Sequence, residues 1–468
     1  MNSRVCLAAG LTGAAVLVGA ALTAVPAASA SASAAITVRR GGPARSLTFT
    51  AARGGEAVIG FSAVAPGVSW DRTGAEAAVV SVSVDGRHVT DVVVPSADPT
   101  PRSLGLGRVT AGRHRVTLRF GRGSAPAART VTLLHPRVRV PRAGADQTVL
   151  RHAPIIVGRA LPELGDAYQN ARTDTPLVAW HESRAASVPG HRVLEYSLVW
   201  SNEDGGTDTP ALMARWGRTT DIEWVYRVEV DEKGRRVDGT GAYQGPEHRT
   251  LPFRGRYEGD HPVLQTCTDN NMVCDTITPD AALRFLPDVS GALPAGRARE
   301  AVMDREPWTY RVMAQEMVRE GRIEHPSDPA TPEVGDQRTY LFAEFVKQTG
   351  APSGAGSAPG VSLGVRLKRD PSVLYRSDHG RPSWSVERDG AAATTVELPA
   401  GATVDDIASI EAIRQPVGAG DNGAPATVTA INRGFFLNRS YLPGASAVRW
   451  TGSVTVTQAA PTAVLWRP

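Results

Sequence analysis

Several things are scarce in this 468-residue chain. It has only three cysteines, Cys6, Cys267 and Cys274, too few for a disulfide-built scaffold or a thiolate metal centre. Of its 51 basic residues only Lys233, Lys347 and Lys368 are lysine. The arginine excess beside abundant Ala, Gly and Val reads as the codon bias of a GC-rich bacterial genome. A formal charge of +4 is small for this length, and the basic residues are scattered. That pattern excludes an electrostatic footprint for nucleic acid or an anionic membrane. There is no Gly-x-Ser-x-Gly elbow, no His-Glu-x-x-His, no P-loop and no dinucleotide fingerprint. The common hydrolase, zinc-protease, nucleotidase and oxidoreductase signatures are thereby absent. Beyond the first 25 residues no apolar run approaches the ~20 residues that a membrane span needs.

The N-terminus does carry a signal. Arg4 precedes an apolar run over residues 7–22, followed by Val25-Pro26-Ala27-Ala28-Ser29-Ala30. This is the order of a secretory signal peptide, with cleavage after Ala30, Ala32 or Ala34. Residues 1–34 are therefore expected to be removed, leaving a secreted, extracellular chain with no stable membrane insertion, read as a monomer. Removal takes away Cys6. Cys267 and Cys274 are then an even pair in an oxidising compartment, expected to bridge a short loop.

At 42% hydrophobic and 21% charged, the chain is globular and long enough for two or three domains. The pattern is mainly β. Residues 35–141 alternate short strands and turns, as a β-sandwich module does. Residues 142–350 form a larger β-rich sandwich-type domain with one or two helices, one of them expected over 307–320 between Pro307 and Gly321. Its Tyr310, Met313 and Met317 fall on one stripe expected to enter the core. The Gly/Ser/Pro-rich stretch 351–361 reads as a flexible loop or linker. Residues 362–468 return to β patterns, either as a further domain or completing the second.

In the N-terminal module, "VSVSVDGRHVTDVVV" and "AGRHRVTLRF" resemble the jelly-roll carbohydrate-binding modules attached to secreted bacterial glycan enzymes. The resemblance implies a two-sheet sandwich and a polysaccharide partner.

The segment 174–274 concentrates candidate chemistry. Residues 221–230 alternate, with Ile222, Trp224, Tyr226, Val228 and Val230 on an apolar face and Asp221, Glu223, Arg227 and Glu229 opposite. Three readings compete. In the first, Asp204 and Asp208 in the turn "SNEDGGTD", with Asp221 and Glu223, offer hard oxygen ligands to a divalent cation, calcium or magnesium. In the second, Asp221 and Glu223 act as paired acid and base on a glycosidic bond, with Trp180, His181, Trp216 and His261 as ligand contacts. The third, nucleophilic hydrolysis through His181 and Ser183, lacks any residue that orients the histidine.

"EYSLVW", "WGRTTDIEWV" and "GDHPVL" resemble, in order and spacing, strands of the necrosis- and ethylene-inducing-like secreted proteins and the related Vps62-type sandwiches. Those families carry a Gly-His-Arg-His-Asp-Trp-Glu heptapeptide. Gly217, Asp221 and Glu223 match it, and Asp221 and Glu223 would correspond to metal-binding carboxylates. Arg218 and Thr220 stand where the histidines would be, so a ligand is missing from the set.

Two functions follow as expectations. One is a glycan-directed secreted protein that binds a polysaccharide or cell-wall component or, if an enzyme, hydrolyses it. The other is a non-catalytic, cation-dependent surface-interaction or toxin-like protein.

Overall fold

A computed structural model describes residues 35–159, 167–203, 208–324 and 333–468; the expected signal peptide and Asp204 lie outside these. Mainly β, the described residues form six sheets and four α-helices.

The first sandwich is closed by strict alternation. In the strand Ala78–Val84, Val80, Val82 and Val84 are buried while Ser81 and Ser83 turn outward. One sheet orders Ile36–Arg39, Thr130–Arg139, Gly55–Val64 and Thr100–Val109; the other orders Arg45–Ala51, Gly112–Phe120, Ala78–Val84 and Arg87–Val94. Successive strands mostly switch sheets, the threading of a jelly roll. Thr100–Val109, with its Pro101, Gly105 and Gly107, carries no clean strand pattern, yet it forms a sheet edge.

The central unit stacks two sheets. The first is an antiparallel meander of Pro176–Ala185, Arg192–Trp200, Asp221–Val230, Ala242–Gly245 and Arg249–Pro252. In the second, Ile155–Val157 runs parallel to His261–Thr266 and antiparallel to Arg284–Phe285. Helices α1 (Ala145–Arg151), α2 (Thr209–Trp216), α3 (Ala301–Arg305) and α4 (Trp308–Glu320) flank these sheets. In α4, Pro307 occupies the N-cap and Gly321 closes the helix in the left-handed region at φ 70°. Tyr310, Met313 and Met317 are buried in the central core.

The third unit is a further sandwich. Gly390–Glu397, Tyr340–Thr349, Ala426–Phe435 and Trp450–Val456 form one sheet; Asp370–Arg376, Gly360–Leu367, Ile407–Gln415 and Thr462–Trp466 form the other. Leu341, Phe345, Val361, Leu363, Ile410 and Val428 share its interior. The 351–361 stretch, expected as a flexible loop or linker, joins a strand of one sheet to a strand of the other within this sandwich. The sandwich already begins at Tyr340 because that strand pairs with residues 390–397 and 426–435.

The units are bonded to one another. The Trp70 indole of the first sandwich donates to Glu316 of α4 at 2.9 Å, and Gly105 N–H donates to Leu286 O at 2.8 Å. On the other side, Thr394 and Thr395 of the third sandwich donate to Ala214 O and Met213 O of α2 at 2.6 and 2.9 Å. No helix among the described residues is long and apolar enough to cross a membrane.

Candidate functional site

A β-bulge sets the geometry of the candidate segment. Tyr196 pairs with Tyr226 and the next residue, Ser197, with Trp224, so Val225 is an extra residue in its strand. An extra residue inverts the alternation from that point. Asp221 and Glu223 therefore share a face with Tyr226, Val228 and Val230, not with Arg227 and Glu229. The expected apolar face is corrected accordingly: Trp224 is half-buried beneath the Arg227 guanidinium, 4.4 Å from its ring centre, while Tyr226 is in the core.

The inversion carries Asp221 inward, where it is 1% exposed. Its Oδ2 has no hydrogen-bond partner among the described residues. Burial holds its carboxyl well above the usual carboxylate range; Glu223 and Glu203 push the same way, while Arg218 and a hydrogen bond with Asn271 oppose. Glu223, half-buried, accepts from Gln244 Nε2 at 2.8 Å, and that same amide lies 2.8 Å from His248 Nδ1.

Asn271 is presented by the disulfide loop. Cys267 and Cys274 are bonded, seven residues apart, and Asn271 sits between them with φ 52°, a conformation asparagine tolerates. Its Nδ2 donates to Asn202 O at 3.0 Å, and its buried Oδ1 has no partner among the described residues. The loop is anchored by Arg159, which donates to Thr268 O at 3.1 Å and to Asp174 Oδ2 at 2.5 Å. Arg159 and Asp174 are both fully buried.

The other expected residues do not gather there. Asp208 is exposed at the start of α2, whereas Asp221 is buried. Among the described residues no three His, Cys, Asp or Glu side chains converge as a metal site. Trp180, expected as a ligand contact, is instead fully buried in the central core; a ring enclosed by protein contributes packing. His181 is held through Nδ1 by Val289 O at 2.7 Å. Trp216 is flanked by Arg218 and Arg388, 5.6 and 4.0 Å from its ring centre. His261 lies at the seam with the first sandwich, between Ala153 O at 2.8 Å and Glu56 Oε2 at 3.2 Å. It lines a cavity of about 430 Å³ with Glu56, Arg87 and Arg284. Arg284 there is tied to Glu258 by two hydrogen bonds of 2.8 and 2.7 Å.

A more open site escaped the residue-by-residue reading. On the outer face of the first sandwich, Ser81, Ser83, His88, Thr117 and Arg119 line a groove of about 330 Å³. Strand pairing places Ser83 opposite Thr117 and Ser81 opposite Arg119. The buried Asp91 accepts from Ser81 Oγ at 2.6 Å and pairs with His88 Nε2 at 3.1 Å. The Asp91 hydrogen bond raises the His88 pKa against partial desolvation. The Val-Ser-Val-Ser-Val alternation announces two of these positions; the neighbouring strand that completes the groove, Gly112–Phe120, comes after two intervening strands in the chain's order.

No protein-family model matches the chain, and no curated protein matches it in sequence. Among solved structures, the sugar-binding C-terminal domain of EclA is similar at 14% identity and TM-score 0.14, over 21% of this chain and 79% of that one. A Clostridium thermocellum family two carbohydrate esterase is similar at 16% identity and TM-score 0.16, over 26% and 31%. A Podospora anserina GH26-CBM35 β-(1,4)-mannanase is similar at 14% identity and TM-score 0.15, over 28% and 32%. Likeness at this level fixes neither family nor ligand.

Proposed function

We propose that the protein is a secreted, glycan-directed protein that binds polysaccharide or cell-wall glycan without cleaving it, through the outer groove of its first sandwich. The observation that carries this reading is the groove's lining of three hydroxyls, an imidazole and a guanidinium. Hydroxyl side chains both donate and accept, which suits a ligand made of hydroxyl groups. Cleavage is set aside because Asp221, half of the acid pair, is enclosed at 1% exposure; a general acid must reach the oxygen it protonates. The signal-peptide pattern and the disulfide support an extracellular setting.

The test is co-sedimentation of the mature chain with insoluble polysaccharides and bacterial wall material, with sugar release measured in the same tubes. Retention without release is expected, and Ser83→Leu with Thr117→Leu should abolish it. Sugar release would restore the hydrolytic reading, and retention unchanged in the double variant would remove the groove.

A second reading, a cation-dependent interaction protein, is favoured by the buried oxygens of Asp221 and Asn271 that have no hydrogen-bond partner among the described residues. A calcium or magnesium ion between them would answer both. Elemental analysis should then find one divalent ion per chain, and Asp221→Asn should lower thermal stability. Without an ion the sign reverses. The raised Asp221 pKa makes the folded state lose stability as pH rises from the unfolded value of 3.8 through the folded one, so the neutral amide stabilises at pH 7.

A further inference from the structure

A cavity of about 280 Å³ lies where the first sandwich meets the central unit. Leu177, Leu198, Phe285, Pro287 and Trp308 give it apolar walls, and Arg102 enters from the first sandwich. Arg102 is 8% exposed. Its guanidinium donates to Leu177 O at 2.9 Å and lies 4.7 Å from the Trp308 ring centre. Its buried Nε has no hydrogen-bond partner among the described residues, although a guanidinium has five N–H donors to satisfy. Burial lowers its pKa from 12.5 to about 10.

Two carboxylates line the same cavity, and the charge of Glu306 opposes the effect of burial on Arg102. Asp288 Oδ2 accepts from Ser103 Oγ at 2.7 Å and Arg139 at 3.1 Å. Glu306 Oε2 accepts from the Trp308 indole at 2.8 Å. Arg305 is exposed at the rim. The cavity thus combines a buried cation in its wall, a second cation at its mouth and an apolar interior.

We infer that this inter-domain cavity binds a small organic carboxylate with an apolar body, its carboxylate on the Arg102 guanidinium and its body against Trp308 and Phe285. The planar fork of arginine matches a carboxylate in two parallel hydrogen bonds. Apolar walls with a few convergent polar groups are the usual make-up of a small-molecule site. This site is separate from the outer groove and stands or falls independently of it.

Calorimetric titration of the mature chain with phenylacetate and hexanoate, and with neutral phenylacetamide, tests the assignment. At least one carboxylate should bind, at least about tenfold more tightly than the amide. Arg102→Met should remove that preference, and Arg305→Ala should weaken carboxylate binding by about two- to fivefold. Because Arg102 is buried, a second variant guards against misfolding. Gly291→Leu fills the rim, where a Cβ would meet nothing nearer than the Arg305 guanidinium at 3.7 Å; it should abolish binding while thermal unfolding stays unchanged. No binding of either carboxylate up to about 10 mM, equal binding of the amide, or full binding by Gly291→Leu would overturn the proposal.

Discussion

The first sandwich and the central unit are both two-layer β structures, yet their interiors differ. Between the sheets of the first lie Ile59, Val80, Val82, Val92, Leu106, Leu118 and Val131, with polar groups turned outward. Between and around the sheets of the central unit lie Arg159, Asp174, Asp221 and Glu316, all 1% exposed or less. The first interior is held by apolar burial, which is non-directional and tolerates modest change. The second holds ionisable groups, Arg159 paired with Asp174 and Glu316 with Arg319, while Asp221 is kept toward its neutral form by burial, because an isolated buried charge is far more costly than a buried methyl group.

The comparison can be broken first at Arg159. Arg159→Met removes the buried ion pair with Asp174 and the hydrogen bond to Thr268 O, and should cost about 3–5 kcal/mol; denaturant unfolding followed by intrinsic fluorescence measures it. If the loss is under about 1 kcal/mol, the buried network is not what holds the central unit. In the first sandwich, Leu118→Ala should cost about 3 kcal/mol through lost burial and a residual cavity, and it should leave the unfolding of the central unit unchanged if the two interiors act separately. Next comes the disulfide loop: Cys267→Ser with Cys274→Ser should cost about 2.5 kcal/mol, from the entropy of closing so short a loop, and should be matched by wild type under reducing conditions. The smallest effect belongs to His88. Its pKa is raised chiefly by the Asp91 hydrogen bond. Its contribution to stability is fully present below the ordinary value of 6.5 and lost as pH rises through the raised value. A pH series of melting temperatures should show this decline in wild type and not in His88→Ala.

Legibility in the sequence followed the same division. Ala78–Val84 could be read strand by strand because one face meets oil and the other water, so composition alternates with position. Helix α4 was readable from Pro307, Gly321 and its Tyr310–Met313–Met317 stripe. Thr100–Val109 was not, since its Pro and Gly residues hide a strand whose pairing comes from a distant partner. The face assignment of Asp221 and Glu223 failed at one residue: nothing in "DIEWVYRVEV" marks Val225 as the bulge. The third sandwich was hidden by a Gly/Ser/Pro stretch that looks like a linker but crosses between two sheets of one domain.

The sequence by itself determined the β class, the sandwich pattern of the first module, helix α4 and the cysteine pair, because each rests on local periodicity, local caps or simple counting. Only the tertiary structure decided that Asp221 is enclosed, that Trp180 is core, and that strands from separate parts of the chain build the outer groove. It alone placed Arg102 against Trp308 across a domain seam. Register and inter-domain contact are set by partners far away in the chain, and a single inserted residue in a strand is enough to exchange the inside for the outside.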